Sequence, residues 1–254
     1  MVHRGHWAFR LGHDARDGSV VLGPGDVISI PVHVFRGFEN VGDDDEAFLF
    51  SVLGGDDPGH VTWAPYVFEA AQGHGLVLLE DGMLIDTTLG ETVPAGSRPQ
   101  APTTMADVAR HRRMSVDELA SCIASGGSQS GAGDTLLARH STGVREFAII
   151  GGANPAEEIE AGKMNWPHGF HLRRLELAAA ARVPLHSRAE VEVLFVQDGA
   201  LSIGWDGHAL HLGKGDTLTV PRNLPRTIRN PDDAKPAIIF VVRGGNAPAA
   251  PQWG

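Results

Sequence analysis

From Pro184 to Asn230 the chain alternates apolar and polar positions with the two-residue period of strands. Val191 to Val196 is an apolar run, and Asp198-Gly199, Asp206-Gly207 and Gly213-Lys214-Gly215-Asp216 are turns between further short strands. Strands this short and this regularly spaced predict a closed or sandwiched antiparallel barrel. If His186 to Phe195 is one strand, His186, Arg188, Glu190 and Glu192 share one face and Val191, Val193 and Phe195 the other. The polar face predicts a cavity lined from inside, and the apolar face a contact with another sheet or subunit.

The same pattern upstream predicts a barrel over 140–254, with Phe147 to Ile150 as a strand. Asn165 to His171 is a turn holding His168 and His171, with local hydrogen bonds or a place at the cavity mouth. His171 to Leu177 is a strand in which Arg173 and Arg174 point to opposite faces, so that one joins the cavity. His208 and His211 lie on a strand and receive no role. Residues 64–139 form a region of helices, a hairpin and linker. A helix runs from Pro65 to Gly73, capped by Thr62. A hairpin turns at Asp81-Gly82 between Leu76 to Leu79 and Met83 to Ile85. A proline-rich linker follows over Pro94 to Pro102, then a helical turn over Met105 to Arg112. The capping box Ser115-Val116-Asp117-Glu118 opens a helix to about Ser125. Gly126 to Gly133 is linker, lacking the Lys-Ser/Thr of a phosphate loop.

Residues 1–63 repeat the end of the chain. Gly25-Asp26, Pro31, Arg36 and Asn40 match Gly215-Asp216, Pro221, Arg226 and Asn230 at one constant offset, which also carries Gly54-Gly55, Pro58 and Trp63 onto Gly244-Gly245, Pro248 and Trp253. Arg4 to Trp7 aligns with Asp198 to Leu201, so Met1 corresponds to about Phe195. The chain therefore starts inside a first barrel, or strands of the central region complete that barrel. Asn40 and Asn230 are expected to fix turns by side-chain to backbone hydrogen bonds.

The 254 residues carry 21 basic and 31 acidic side chains, which disfavours nucleic acid and anionic membranes as partners. One cysteine, Cys122, forms no disulfide within the chain and suits a reducing compartment. The first residues lack an apolar leader, and no run reaches a membrane span. The expectation is a cytoplasmic protein.

Two stretches resemble the signature motifs of the cupin superfamily. The first motif runs His-x-His, three or four residues, Glu, six residues, Gly. His186, Arg188, Glu192 and Gly199 stand at those places. The second runs Gly, five residues, Pro-x-Gly-x-x-His-x-x-x-Asn, and Gly215, Pro221, Asn223, Arg226 and Asn230 fall in register. The resemblance implies an all-β protein of two cupin-type jelly-roll barrels with a few short helices between them. Such a bicupin divides into a partial first barrel at 1–63, lacking the first motif, the central region at 64–139, and the second barrel at 140–254. It also implies a metal held by three His and one Glu. Arg188 and Arg226 stand at two of those His positions, Arg36 at the matching position of the first copy, and Arg has no lone pair to donate. No metal is expected. If iron or manganese does bind, His186 and Glu192 are the ligands.

The leading expectation is a barrel that binds or transforms a small organic acid. Arg226 and Arg188, with Arg173 and Arg36, would bind the carboxylate. Glu192 or Glu190 would be general base and His186 acid or orienting group. The bland alternative pairs Arg188 with Glu192, or Arg226 with Glu190, as structural ion pairs. Two other classes stand beside this one: an iron- or manganese-dependent dioxygenase recruiting His168 or His171, and a non-catalytic scaffold. An oxygenase, isomerase or lyase is the enzymatic form of the expectation, and a homodimer through Val191, Val193 and Phe195 its assembly.

Overall fold

A computed structural model describes residues 1–54, 61–126 and 133–254. Gly55, Pro58 and residues 127–132 of the expected linker fall outside the described residues. The N-terminal segment holds β1 (Val2–Arg4), β2 (Trp7–Leu11), β3 (Gly18–Leu22), β4 (Val27–Ile28), β5 (Arg36–Asn40) and β6 (Phe48–Leu49). The central region holds α1 (Pro65–Gly73), β7 (Leu76–Leu78), β8 (Leu84–Asp86), α2 (Met105–Val108), α3 (Val116–Ala120), β9 (Ile123–Ala124) and α4 (Leu136–Arg139). Then follow β10 (Thr142–Ile150), β11 (Phe170–Ser187), β12 (Glu192–Asp198), β13 (Leu201–Trp205), β14 (His208–Leu212), β15 (Thr217–Val220), β16 (Arg226–Arg229), β17 (Ala237–Gly244) and β18 (Gln252–Trp253).

β10 to β18 form one antiparallel sheet that wraps almost into a barrel, ordered β14-β13-β16-β11-β17-β12-β15, with β10 and β18 also on β11. The protein is mostly β, as the turn spacing predicts. The hairpin between β13 and β14 closes at Trp205↔His208, and Asp206 and Gly207 both take the positive φ that a two-residue primed turn requires. Alternation then sorts the faces. Leu175, Leu177, Val183, Leu194, Val196, Ile203, Ile228, Ile239 and Val241 fill one end of the interior. Phe170, Leu172, Phe195, Phe240 and Val242 point the other way.

The first six strands repeat the pairing of the sheet from β12 onward. β2 pairs with β3 and β5 as β13 pairs with β14 and β16: Trp7↔Leu22 corresponds to Leu201↔Leu212, and Phe9↔Phe38 to Ile203↔Ile228. β1 pairs with β6 as β12 pairs with β17, including the same irregularity, Val2↔Leu49 then Arg4↔Phe48 against Val196↔Ile239 then Asp198↔Ile238. β15 lies against β12 through Leu194↔Leu218 and Phe195↔Thr217. The corresponding β4 lies instead against β9, through Ile28↔Ile123 and Val27↔Ala124. β4 thus takes its partner from the central region. No strand stands in the place of β11 among the described residues, and β1-β6 and β3-β2-β5 remain separate small sheets.

The N-terminal strands cover the outward apolar face. Phe50 stacks on Phe195 at 4.4 Å, His3 meets the same ring edge-on, and the Gln197 amide donates to the Val2 and His3 carbonyls. The face expected to meet a second subunit at Phe195 is therefore occupied by this chain's own first strands.

Three local expectations change. His186 to Phe195 is not one strand: β11 ends at Ser187, and residues 188–191 turn a corner held by the Asn223 amide donating to the Arg188 carbonyl. Thr62 does not cap α1, because Pro65 opens the helix and places its N-cap at Ala64, which has no side-chain acceptor. The Ser115 capping box is present, but α3 stops at Ala120, since Ile123 and Ala124 are drawn out to pair with β4. The hairpin at Asp81-Gly82 forms as expected. No helix among the described residues is long and apolar enough to cross a membrane.

Candidate functional site

The inward positions of the sheet change character along the barrel. Reading in two-residue steps, β11 runs Leu177, Leu175, Arg173, His171, and β12 runs Val196, Leu194, Glu192. β17 runs Ile239, Val241, Arg243, while Ile228 is followed by Arg226 and Val144 by Glu146. One end of the interior is hydrocarbon and the other is charged. The corner after β11 adds Arg188, and a short turn at Pro155–Glu157 adds Glu157. Arg173, Arg188, Arg226, Arg243, Glu146, Glu157 and Glu192 are each at most 2% exposed.

These groups form one ion network. Arg243 Nε donates to Glu192 Oε1 at 2.9 Å, and its Nη1 to Glu146 Oε1 at 2.7 Å and Glu157 Oε1 at 2.8 Å. Arg226 Nη2 donates to Glu192 Oε2 and Arg188 Nη1 to Glu157 Oε1. Arg188 Nε stands 3.6 Å from Glu192 and Arg173 Nη2 3.5 Å from Glu157. The outer oxygens are also tied: the Thr135 hydroxyl donates to Glu146 at 2.6 Å, and the Asn154 amide to Glu157 at 3.0 Å. Arg173 Nη2 donates to His171 Nδ1 at 2.6 Å, which leaves His171 Nε2 to donate to the Asn246 carbonyl at 2.9 Å. Buried charges are tolerated when paired in this way.

Burial alone would raise the Glu157 pKa, but the Arg243, Arg188 and Arg173 guanidiniums outweigh it and hold the group at about 2. Burial, reinforced by the Arg226 charge, pushes the His186 imidazole down to about 3, so it is neutral across the physiological range. Its Nδ1 donates to the Pro184 carbonyl at 2.8 Å. Burial also pushes Arg226 down to about 9 and Arg188 to about 10, each helped by neighbouring guanidiniums. Arg243 moves the other way, because Glu146 and Glu157 overcome its burial.

Of the residues expected at the site, His186, Arg188, Glu192, Arg226 and Arg173 come together. Glu190 sits half-buried at the rim, its Oε1 accepting from the Ala249 amide at 2.6 Å. Arg36 lies on β5, in the separate N-terminal sheet, with Nη1 on the Val34 carbonyl at 3.2 Å. It is not part of this cluster. His168 bonds to Ser29 Oγ at 2.7 Å, away from the network. The expected pair Arg226–Glu190 is replaced by Arg226–Glu192. Arg243, Glu146 and Glu157 were not anticipated. A charge flanking the apolar runs Ile238 to Val242 and Phe147 to Ile150 marks the first two, whereas Glu157 sits in an acidic loop without a period.

The donor set does not suit a divalent cation. Two of the four family ligand positions are guanidiniums, and both oxygens of Glu192 already accept from Arg226 and Arg243. A metal would have to displace those contacts and bind beside fixed positive charge. Nor is Glu192 placed as a base, since a base must offer a free oxygen to the proton it takes.

Residues 173–243 match the family model described as Cupin domain. That stretch holds Arg173, Arg188, Glu192, Arg226 and Arg243 of the network, while Glu146 and Glu157 precede it. No curated protein matches the chain. Among solved structures it is similar to the polyketide cyclase RemF from Streptomyces resistomycificus, 15% identical over 44% of this chain and 72% of that one, TM-score 0.36. A cupin 2 domain-containing protein from Halorhodospira halophila is 19% identical over 44% and 70%, TM-score 0.36. The DMSP lyase DddQ from Ruegeria pomeroyi is 21% identical over 43% and 51%, TM-score 0.35.

Proposed function

We propose that the C-terminal barrel binds a small organic acid at its charged end, through Arg226, Arg188 and Arg173. One observation carries this reading. Arg226 Nε, Arg188 Nε and Nη2 and Arg173 Nε are buried and make no hydrogen bond among the described residues, against a single orphaned acceptor in the cluster, Glu190 Oε2. A buried N–H left without a partner costs about 1–3 kcal/mol, and more when charged. A guest rich in acceptor oxygens removes that cost at several donors together. The reading is binding without a metal ion and without Glu192 as base. Any proton transfer would fall to His186, whose Nε2 is its free position.

We also read the chain as a bicupin whose first copy is a half-barrel completed by β9, supported by the common register of β1–β6 and β12–β17. A second functional reading is a scaffold in which the network only holds the barrel together. The saturation of Arg243 by three carboxylates favours it.

A thermal-shift titration separates the two. Short mono- and dicarboxylates are expected to raise the melting temperature of the wild-type protein saturably. Arg188→Gln should weaken that rise while the variant stays folded by circular dichroism. A melting temperature indifferent to every acid would sink the binding reading and leave the scaffold.

A further inference from the structure

A second cationic feature lies outside the barrel. The outward face over β11 and β16, next to the end of α4, carries a groove of about 410 Å³. Alternation builds it: Val183 and Ile228 point into the core as its floor, while Arg182, Arg229, Thr142 and Thr227 stand outward as its walls. Arg182 and Arg229 are directly opposed across the two strands. Like charges in that position repel, and neither guanidinium has an ion-pair partner among the described residues. In a chain of net charge −10, two opposed cations left without a carboxylate are unexpected. At the groove's end the exposed His140 ring is fixed by one face and one edge. It stacks on Trp253 at 4.5 Å with an interplanar angle of 11°, and its Nδ1 donates to the Leu136 carbonyl at 2.9 Å. On the neighbouring strand Gly204 keeps the face low, since a Cβ there would stand 2.8 Å from the Thr227 hydroxyl.

We propose that this groove binds a small phosphorylated molecule, its phosphate between the Arg182 and Arg229 guanidiniums and a planar organic part against His140. Two forked guanidiniums match the oxygens of a phosphate, and one tetrahedral dianion cancels the repulsion that the strand register imposes. The fixed ring offers a flat surface for an organic substituent. The acidic remainder of the surface disfavours a nucleic acid strand. The groove is separate from the interior network and does not depend on what the barrel binds.

The test is calorimetric titration with phenyl phosphate and with inorganic phosphate. Wild-type protein is expected to bind phenyl phosphate more tightly than inorganic phosphate. Arg182→Gln and Arg229→Gln, both at exposed side chains, should each weaken phenyl phosphate binding about tenfold or more. Arg110→Gln, in the turn after α2, removes the same charge and should leave binding unchanged. Amide shifts on titration should centre on Thr142, Val183 and Ile228. Equal affinity for the two phosphates would overturn the role given to His140. Absence of saturable binding, or affinity unchanged in both groove variants, would overturn the site.

Discussion

Arg243 answers three carboxylates with one guanidinium, so its removal strands Glu146 in the interior without a cation, while Glu157 keeps Arg188 and Arg173. Arg243→Met is expected to cost about 3–5 kcal/mol, read from urea unfolding, because breaking a buried pair leaves an uncompensated charge. Replacing a paired group by one of the same sign, as in Arg243→Lys, should cost less. The titrating groups give a second expectation. The unfolded chain takes up the His186 proton near pH 6.5 and the folded chain only near 3. As pH falls below 6.5 the unfolded state therefore binds the extra proton, and stability falls by up to about 1.4 kcal/mol per pH unit. Glu157 continues the trend lower, its stabilisation being present above 4.5 and lost as pH drops toward 2. Unfolding midpoints measured from pH 7 to 4.5 should decline, and His186→Asn should flatten that decline. A slope identical in the variant would show that His186 is not its source. The cationic character of this end was legible in the sequence, because the motif spacing puts Arg188 and Arg226 at ligand positions, but the orientation of Arg188 was not, because it sits in a corner and not in a continuous strand. Nor was the neutralisation of that charge, because Glu157 arrives from a loop with no periodicity to place it.

Strand limits were legible wherever Gly and Asp pairs punctuate them, since a two-residue primed turn needs residues that accept positive φ. Limits set by a distant partner were not: nothing local in Ile123-Ala124 opposes helix, and only the unpaired edge of β4 draws it into a strand. The two asparagines behave as expected and differ in depth. Asn230 donates to the Leu177, Ala178 and Lys235 carbonyls and accepts from the Asp232 amide, tying the middle of β11 to the end of β16 and the approach to β17. Asn40 does the same locally, donating to the Asp44 carbonyl and accepting from Gly42, but in the open. Asn230→Ala is expected to cost about 2–3 kcal/mol and Asn40→Ala under about 1 kcal/mol in chemical denaturation, because only the buried carbonyls lose a partner that water cannot replace.

At the scale of the molecule, the constant offset between the chain's two ends was legible before any register was known, and together with the register it supports the proposed first copy. Which segment would pair with β4 was open, as loop length and pairing partners leave no mark in composition. β4 and β9 have only two residues each and belong to different halves of the first 124 residues, so neither is stable without the other. Native-state hydrogen exchange should show the Ser29 and Ala124 amides opening together, at a free energy below that of β11 and β17. Separate protection of the two would mean that the pairing does not hold either strand. The same stitching bears on synthesis. The Asp26 carboxylate waits for the Gly126 amide 100 residues later, and His3 for Gln197 across 194. At a translation rate of about 5–20 residues per second, the first strands spend roughly ten seconds or more outside the ribosome with Phe50 and Met1 uncovered. The first-made strands can pair among themselves, but their apolar cover arrives only with the last-made barrel, so until then they rely on whatever shields a nascent chain.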